Sequence, residues 1–178
     1  MRRFGVGIFG KGFGLAEDWL AYASVYEDSV RILLQEIKSN FLYQHHAYQI
    51  LPLLFLLEMY IELQLKGLII YKGGLSKPEH SLSEHFKLLE SLDSSIRMSE
   101  QTKDFIKRLS ELDNKSQAFR YPTDRNLRRF FQNLSPDLSK LLYDINDFQE
   151  LEKIVKSVIR DLENIEGDFE YEQDIQGY

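Results

Sequence analysis

Leu53-Leu54-Phe55-Leu56-Leu57-Glu58-Met59-Tyr60-Ile61-Glu62-Leu63-Gln64-Leu65-Lys66-Gly67-Leu68 is the stretch whose reading decides the fold. Apolar side chains occupy nearly every position, and they continue through Ile69, Ile70 and Tyr71. A helix that is apolar nearly all round belongs in the middle of a core. The pattern therefore predicts a long central helix over about His45 to Tyr71. Pro52 either kinks that helix or marks its true start, and Gly73-Gly74 is a strong stop signal. Glu58, Glu62 and Lys66 are spaced four apart and share one face, with Glu62 preceding Lys66 in the favourable order for an intrahelical ion pair. Charges at that density argue against a membrane span. They must meet water, a polar groove or one another, because a lone buried charge is costly.

Outward from this helix, apolar residues at steps of three and four (Leu20, Ala23, Tyr26, Val30, Leu33, Leu34, Ile37) predict a helix from about Leu15 to Ser39. Ser81 and Glu84 have capping-box spacing at the start of a helix over about Leu82 to Leu92. Phe105, Ile106, Leu109 and Leu112 give one face to a helix over about Glu100 to Leu112. Ser135-Pro136 reads as an N-cap followed by proline at the first helical position. Asp147 and Glu150 suggest a further start, after which Phe148, Leu151, Ile154, Val155, Val158, Ile159 and Leu162 form a clean amphipathic face. The expected architecture is all-α, an up-and-down bundle of about five helices over residues 16–163.

The ends have a different composition. Residues 1–15 hold five of the ten glycines and read as a Gly-rich leader. Gly5, Gly7 and Gly10 match the spacing of a dinucleotide fingerprint, but that motif requires a preceding strand and a parallel sheet, which this pattern does not supply. Residues 164–178 read as an acidic tail, disordered or serving interactions; the last thirteen residues carry five acids and no base.

The chain has 178 residues, which suits one domain, and its 43% apolar content allows a sizeable core. Scarce proline and glycine beyond the leader argue against an all-β fold. There is no cysteine, which excludes disulfides, thiolate metal sites and cysteine nucleophiles. Absence of cysteine fits a reducing compartment, and no apolar signal segment follows Arg2 and Arg3, so a cytoplasmic location is expected. The net charge of −6 means that nucleic acid would be met through a local patch and not through the overall field.

Four groups of residues could carry chemistry. The Glu58, Glu62, Lys66 stripe is either structural pairing or one wall of a polar groove. His80 and His85, with His45 and His46, lie at helix starts without the spacing of a metal site, so neither metal nor cofactor is expected; packing or capping is the plain role for His80. Phe119-Arg120-Tyr121-Pro122-Thr123-Asp124-Arg125 reads as an ordered loop. Its arginine fork suits carboxylates or phosphates, or pairing with an acid such as Glu62. Arg125, Arg128 and Arg129, beside Phe130 and Phe131, form the main basic cluster, which could hold a phosphate backbone and stack a base or simply offset the acidic tail.

The central helix resembles that of HEPN domains. In that superfamily a Glu-x-x-x-Lys on an apolar helix is followed by a His-x-Leu segment opening the next helix; Glu62-x-x-x-Lys66 and His80-Ser81-Leu82 stand in those places here. The Phe119-Arg120-Tyr121-Pro122 element resembles a loop in a subset of bacterial HEPN-like proteins. The resemblance covers roughly residues 16 to 163. It implies a fold used by many RNases of toxin–antitoxin, abortive-infection and CRISPR-associated systems, whose site is an arginine, then four to six intervening residues, then a histidine, usually across a dimer. This chain departs from that signature: Arg125-Asn126 matches its first half, but Phe130, Phe131 and Gln132 stand where the histidine would fall.

The leading expectation is accordingly a HEPN-like component that binds nucleic acid, a nucleotide or a partner protein. Its site would be a cleft between the central helix and the Arg120 loop. Glu62 would orient Lys66 or Arg120, these cations would hold phosphate, and Tyr121, Asp124, Arg125, Arg128 and Arg129 would extend the surface. His80 would move a proton, a role suited to imidazole near neutrality. The enzyme alternative is a divergent metal-independent ribonuclease using His80 and Arg120. The third is a dimerisation module without ligand.

Overall fold

Leucine is a good helix former, and an all-round apolar helix belongs in a core: in the computed structural model every residue from Ile61 to Ile69 is buried. The structure describes residues 16–40, 47–75, 80–112 and 145–176. They form five helices: α1 (Ala16–Asn40), α2 (Ala47–Tyr71), α3 (Leu82–Leu92), α4 (Glu100–Leu112) and α5 (Ile145–Gln176). No strand occurs among the described residues. The all-α bundle expected from the periodicity is the fold. Its core runs along α2, which contacts α1, α3 and α5, while α4 closes between α3 and α5.

Pro52 lies inside α2 and is exposed. It removes the N–H that would reach the carbonyl of residue 48, and the helix carries on. The other end closes as the sequence suggests. Gly73 adopts φ +74°, its N–H donates to Ile70 O at 3.0 Å, and Gly74 N–H donates to Ile69 O at 2.9 Å. These are the two bonds of a Schellman closure, which satisfies carbonyls that the helix end leaves open.

α1 lies against α2 at Gly67. A Cβ there would sit 2.7 Å from Leu20 Cδ2 and 3.3 Å from Trp19 Cβ, so any larger residue would have to push the Leu20 side chain aside. α1 is also tied to α5 through ion pairs. Arg31 reaches Glu163 at 3.2 Å as well as its own Glu27 at 2.8 Å, and Lys38 reaches Glu152 at 3.1 Å.

Two carboxylates fasten the shorter helices. Asp161 of α5 accepts from Ser99 N–H at 2.9 Å, Ser99 Oγ at 2.7 Å and Thr102 Oγ1 at 2.6 Å, just where α4 begins. Burial alone would raise this carboxyl, but the bonds from Thr102 and Ser99 outweigh it and hold Asp161 below its ordinary value. Asp93, at the end of α3, accepts from Lys72 Nζ at 2.7 Å and from Ser95 N–H and Oγ at 2.8 and 2.6 Å. The Lys72 and Ser95 bonds lower Asp93 to about 2.

On α5 the predicted face is the buried one, with Phe148, Leu151, Val155, Val158, Ile159 and Leu162 in the core. The structure departs from the expectation for the C-terminal segment. α5 passes residue 163 without a break and continues to Gln176, and Ile165 is still buried. The Glu and Gln of this segment are good helix formers. The Gly-rich leader and Ser135-Pro136 lie outside the described residues, as do His45 and His46. No helix among the described residues is long and apolar enough to cross a membrane.

Two outcomes follow from this packing. Gly67→Val should lower the thermal midpoint by about 5–10 °C through overpacking against Leu20. Gly67→Ala should cost less, because the helix regains about 1 kcal/mol when glycine is removed; an unchanged midpoint in Gly67→Val would contradict the close approach. For Asp93 the folded state binds its proton less readily than the unfolded chain, so its contribution is full above about pH 4 and fades as pH falls toward 2. Urea midpoints of wild type and Asp93→Asn should therefore differ at pH 6 and converge near pH 2.

Candidate functional site

Inside α2 the three polar residues of the fully buried segment cannot be left to water. Glu62 is 3%, Gln64 2% and Lys66 6% exposed. Gln64 resolves its position across the bundle by donating to Glu166 at 2.8 Å. Glu62 and Lys66 resolve theirs together. One helical turn apart, they meet with Lys66 Nζ 2.7 Å from Glu62 Oε1. Glu58, one turn earlier on the same stripe, is buried as well. The stripe is thus an internal ion pair and not a solvated face.

The third member arrives from outside the helix. His80 stands just before α3, two residues ahead of Leu82, with Ser81 as the N-cap. Its Nδ1 lies 2.9 Å from Glu62 Oε1 and 3.1 Å from Oε2. A carboxylate can only accept, so Nδ1 carries the hydrogen and donates. The imidazole is 48% exposed while the carboxylate beneath it is 4% exposed. His85, one turn into α3, serves the helix entry instead. It is buried and its Nδ1 donates to the Ser81 carbonyl at 2.8 Å.

Trp19 of α1 completes the surround. Lys66 Nζ lies 5.7 Å from its ring centroid, within the range of a cation–π attraction. The ammonium is therefore held between a carboxylate and an aromatic face. Periodicity could not place Trp19 here, because the contact joins the start of α1 to the end of α2. Its one sequence signal is that it is the single tryptophan of the chain.

A second polar group sits earlier in α2. The Tyr60 hydroxyl is buried and has no hydrogen-bond partner among the described residues. Burial, followed by the nearby carboxylates of Glu27 and Glu163, pushes this phenol far above its ordinary range, so it stays neutral. Among the described residues no three His, Asp or Glu side chains are gathered so as to hold a metal ion.

Of the residues singled out by sequence, Glu62, Lys66 and His80 are brought together. Arg120, Tyr121, Asp124, Arg125, Arg128 and Arg129 lie outside the described residues. The arrangement has a clear chemical character. One buried carboxylate is balanced by one buried cation and holds a surface imidazole in a fixed tautomer.

Removing one partner from such a pair leaves a buried charge behind. Lys66→Met should destabilise by about 2–4 kcal/mol, at the low side of that class because His80 still bonds Glu62. The double variant Glu62→Gln/Lys66→Met should recover at least about 1 kcal/mol of that loss. Urea denaturation of the four proteins measures the coupling, and strictly additive losses would contradict it.

The comparisons with known proteins agree with this architecture. A family model described as HEPN domain matches residues 16–166, a span that takes in all of α1 to α4 and α5 through Glu166. No curated protein and no solved structure matches the chain. The family match covers most of the sequence, and on that ground this chain belongs to the HEPN domain family.

Proposed function

We propose that the chain is a nucleic-acid- or nucleotide-binding HEPN domain that meets phosphate at the exposed edge of His80. The observation that carries this reading is the Glu62–His80 contact. Because Glu62 holds Nδ1, Nε2 is the nitrogen that can meet a ligand. Lys66 already balances the Glu62 charge, so a proton taken up by His80 leaves the trio positive at its solvent edge. A phosphate oxygen is the natural partner of such a donor. In this reading Lys66 acts from below, by pairing with Glu62 and holding it in place. Arg120, with Tyr121, Asp124, Arg125, Arg128 and Arg129, is the proposed remainder of the phosphate surface.

The setting proposed from the family is a cytoplasmic component of a bacterial defence or toxin–antitoxin system, working as a homodimer or with a partner protein. A ribonuclease reading is supported by the same contact. A carboxylate-held imidazole can accept a proton from a ribose 2′-hydroxyl, with Arg120 as the proposed stabiliser of the charged phosphate.

Labelled single-stranded RNA incubated with the pure protein separates these readings. Binding should weaken between 50 and 200 mM salt and fall about tenfold in His80→Ala, the loss of one charge-assisted bond. His80 is half exposed, so that variant should keep the fold. Cleavage by wild type that disappears in both His80→Ala and Arg120→Ala would establish the nuclease instead. A stable dimer without RNA affinity at low salt would refute both and leave a dimerisation module.

A further inference from the structure

α1 turns two unlike faces to its surroundings. Its inner face packs Ala23, Val30, Leu34 and Ile37 into the core. Its outward face should be polar, yet Tyr22 is 52%, Val25 37% and Ile32 70% exposed. The three positions are separated by three and seven residues, so they line one stripe. Half-buried Ser29 lies between Val25 and Ile32, and Tyr22 packs edge-on against Tyr26 with ring centroids 5.5 Å apart. Scattered single apolar residues on a surface need no explanation, but three aligned on one helix face do.

The charges around the stripe are of one sign. Exposed Asp18 and Glu36 bracket it, and exposed Glu17 and Asp28 flank it. The helix carries two bases, Arg31 and Lys38. Both are engaged by acids: Arg31 with Glu27 and Glu163, Lys38 with Glu152. The intramolecular pairing that ties α1 to α5 thus removes the cations that could have balanced the outward acids.

We propose that this face docks a cationic amphipathic segment of a different protein, laying an apolar strip on Tyr22, Val25 and Ile32 with Lys or Arg opposite Asp18, Asp28 and Glu36. Charge selects the occupant. A second copy of this chain brings the same acids. Laid antiparallel it sets the Asp18 end against the Glu36 end, and laid parallel it sets each acid against its own kind, both repulsive. An anionic lipid surface is disfavoured for the same reason. From Asp18 to Glu36 the face is about 27 Å long, enough for a helix of five turns.

The test uses the full chain and three synthetic 18-residue helical peptides. One carries leucines on one face flanked by lysines, one has glutamates in place of the lysines, and one is a scramble of the first. The lysine peptide should bind, with amide shifts concentrated at residues 18–36 in a nitrogen-15 spectrum. The glutamate peptide and the scramble should bind at least tenfold more weakly. Val25→Ser/Ile32→Ser should weaken the lysine peptide at least tenfold. Asp28→Lys/Glu36→Lys, which leaves the apolar strip intact, should weaken it likewise and admit the glutamate peptide. Equal binding of the two peptides to wild type, or shifts spread over other helices, would overturn the proposal. So would dimerisation in sedimentation that Val25→Ser/Ile32→Ser abolishes, since the occupant would then be a second copy.

Discussion

A carboxylate buried within a helix that is itself enclosed on all sides imposes conditions on everything around it. Glu62 is such a group, with Ile61 to Ile69 buried without a gap. Leaving its charge without a partner would be a large loss for the whole domain, because domain stability is a small difference between large terms. Lys66 meets the condition from within the helix and His80 from outside. The Lys66 ammonium would in turn be costly if placed against hydrocarbon alone, and the Trp19 ring supplies a favourable face. Trp19 reaches this point because α1 packs closely on α2 at Gly67, where an added Cβ would crowd Leu20 and Trp19. The chain of dependence runs from one carboxylate to two other segments of the protein.

This dependence means that fold and site are not separable at Glu62. A buried ion pair contributes little net stability compared with an apolar replacement of the same shape, but breaking it is expensive. Retaining one is easier to understand where the pair also serves something outside itself. Here the outside object is His80. Its ring is half exposed, yet the tautomer and one of its two nitrogens are set by a group that solvent barely reaches. A carboxylate behind an imidazole orients the ring in this way at many sites where the other nitrogen meets a ligand.

Much of the architecture was legible because its signals are local. The start of α3 and the C-terminus of α2 are written in Ser81, Gly73 and Gly74, and the structure uses those groups, with Ser81 Oγ accepting from the Glu84 N–H. The amphipathic face of α5 follows from spacing alone. The fate of residues 164–176 was not legible in that way. Their acidic composition resembles that of a solvated tail, while helix propagation from an already packed α5 requires only good helix formers. In the site, the Glu62–Lys66 pair follows from i,i+4 spacing, and His80 joins it only through the resemblance to HEPN domains. Trp19 and Gln64–Glu166 were invisible, since they depend on which helices become neighbours. The Arg120 loop and the Arg125–Arg129 cluster lie outside the described residues.

The polar contacts also divide the surface of α1 into what the bundle uses and what it leaves. Arg31 and Lys38 face α5, where Glu163 and Glu152 receive them; Trp19 and Leu20 face α2. Each contact draws a cation or an aromatic inward and leaves acids and the Tyr22–Ile32 stripe outward. A helix needing only to cover α2 could carry serine or glutamate at Ile32 without loss to the core, because that side chain is 70% exposed and buries little. An isoleucine held there among acids is therefore explained by a contact beyond the bundle more readily than by any contact within it.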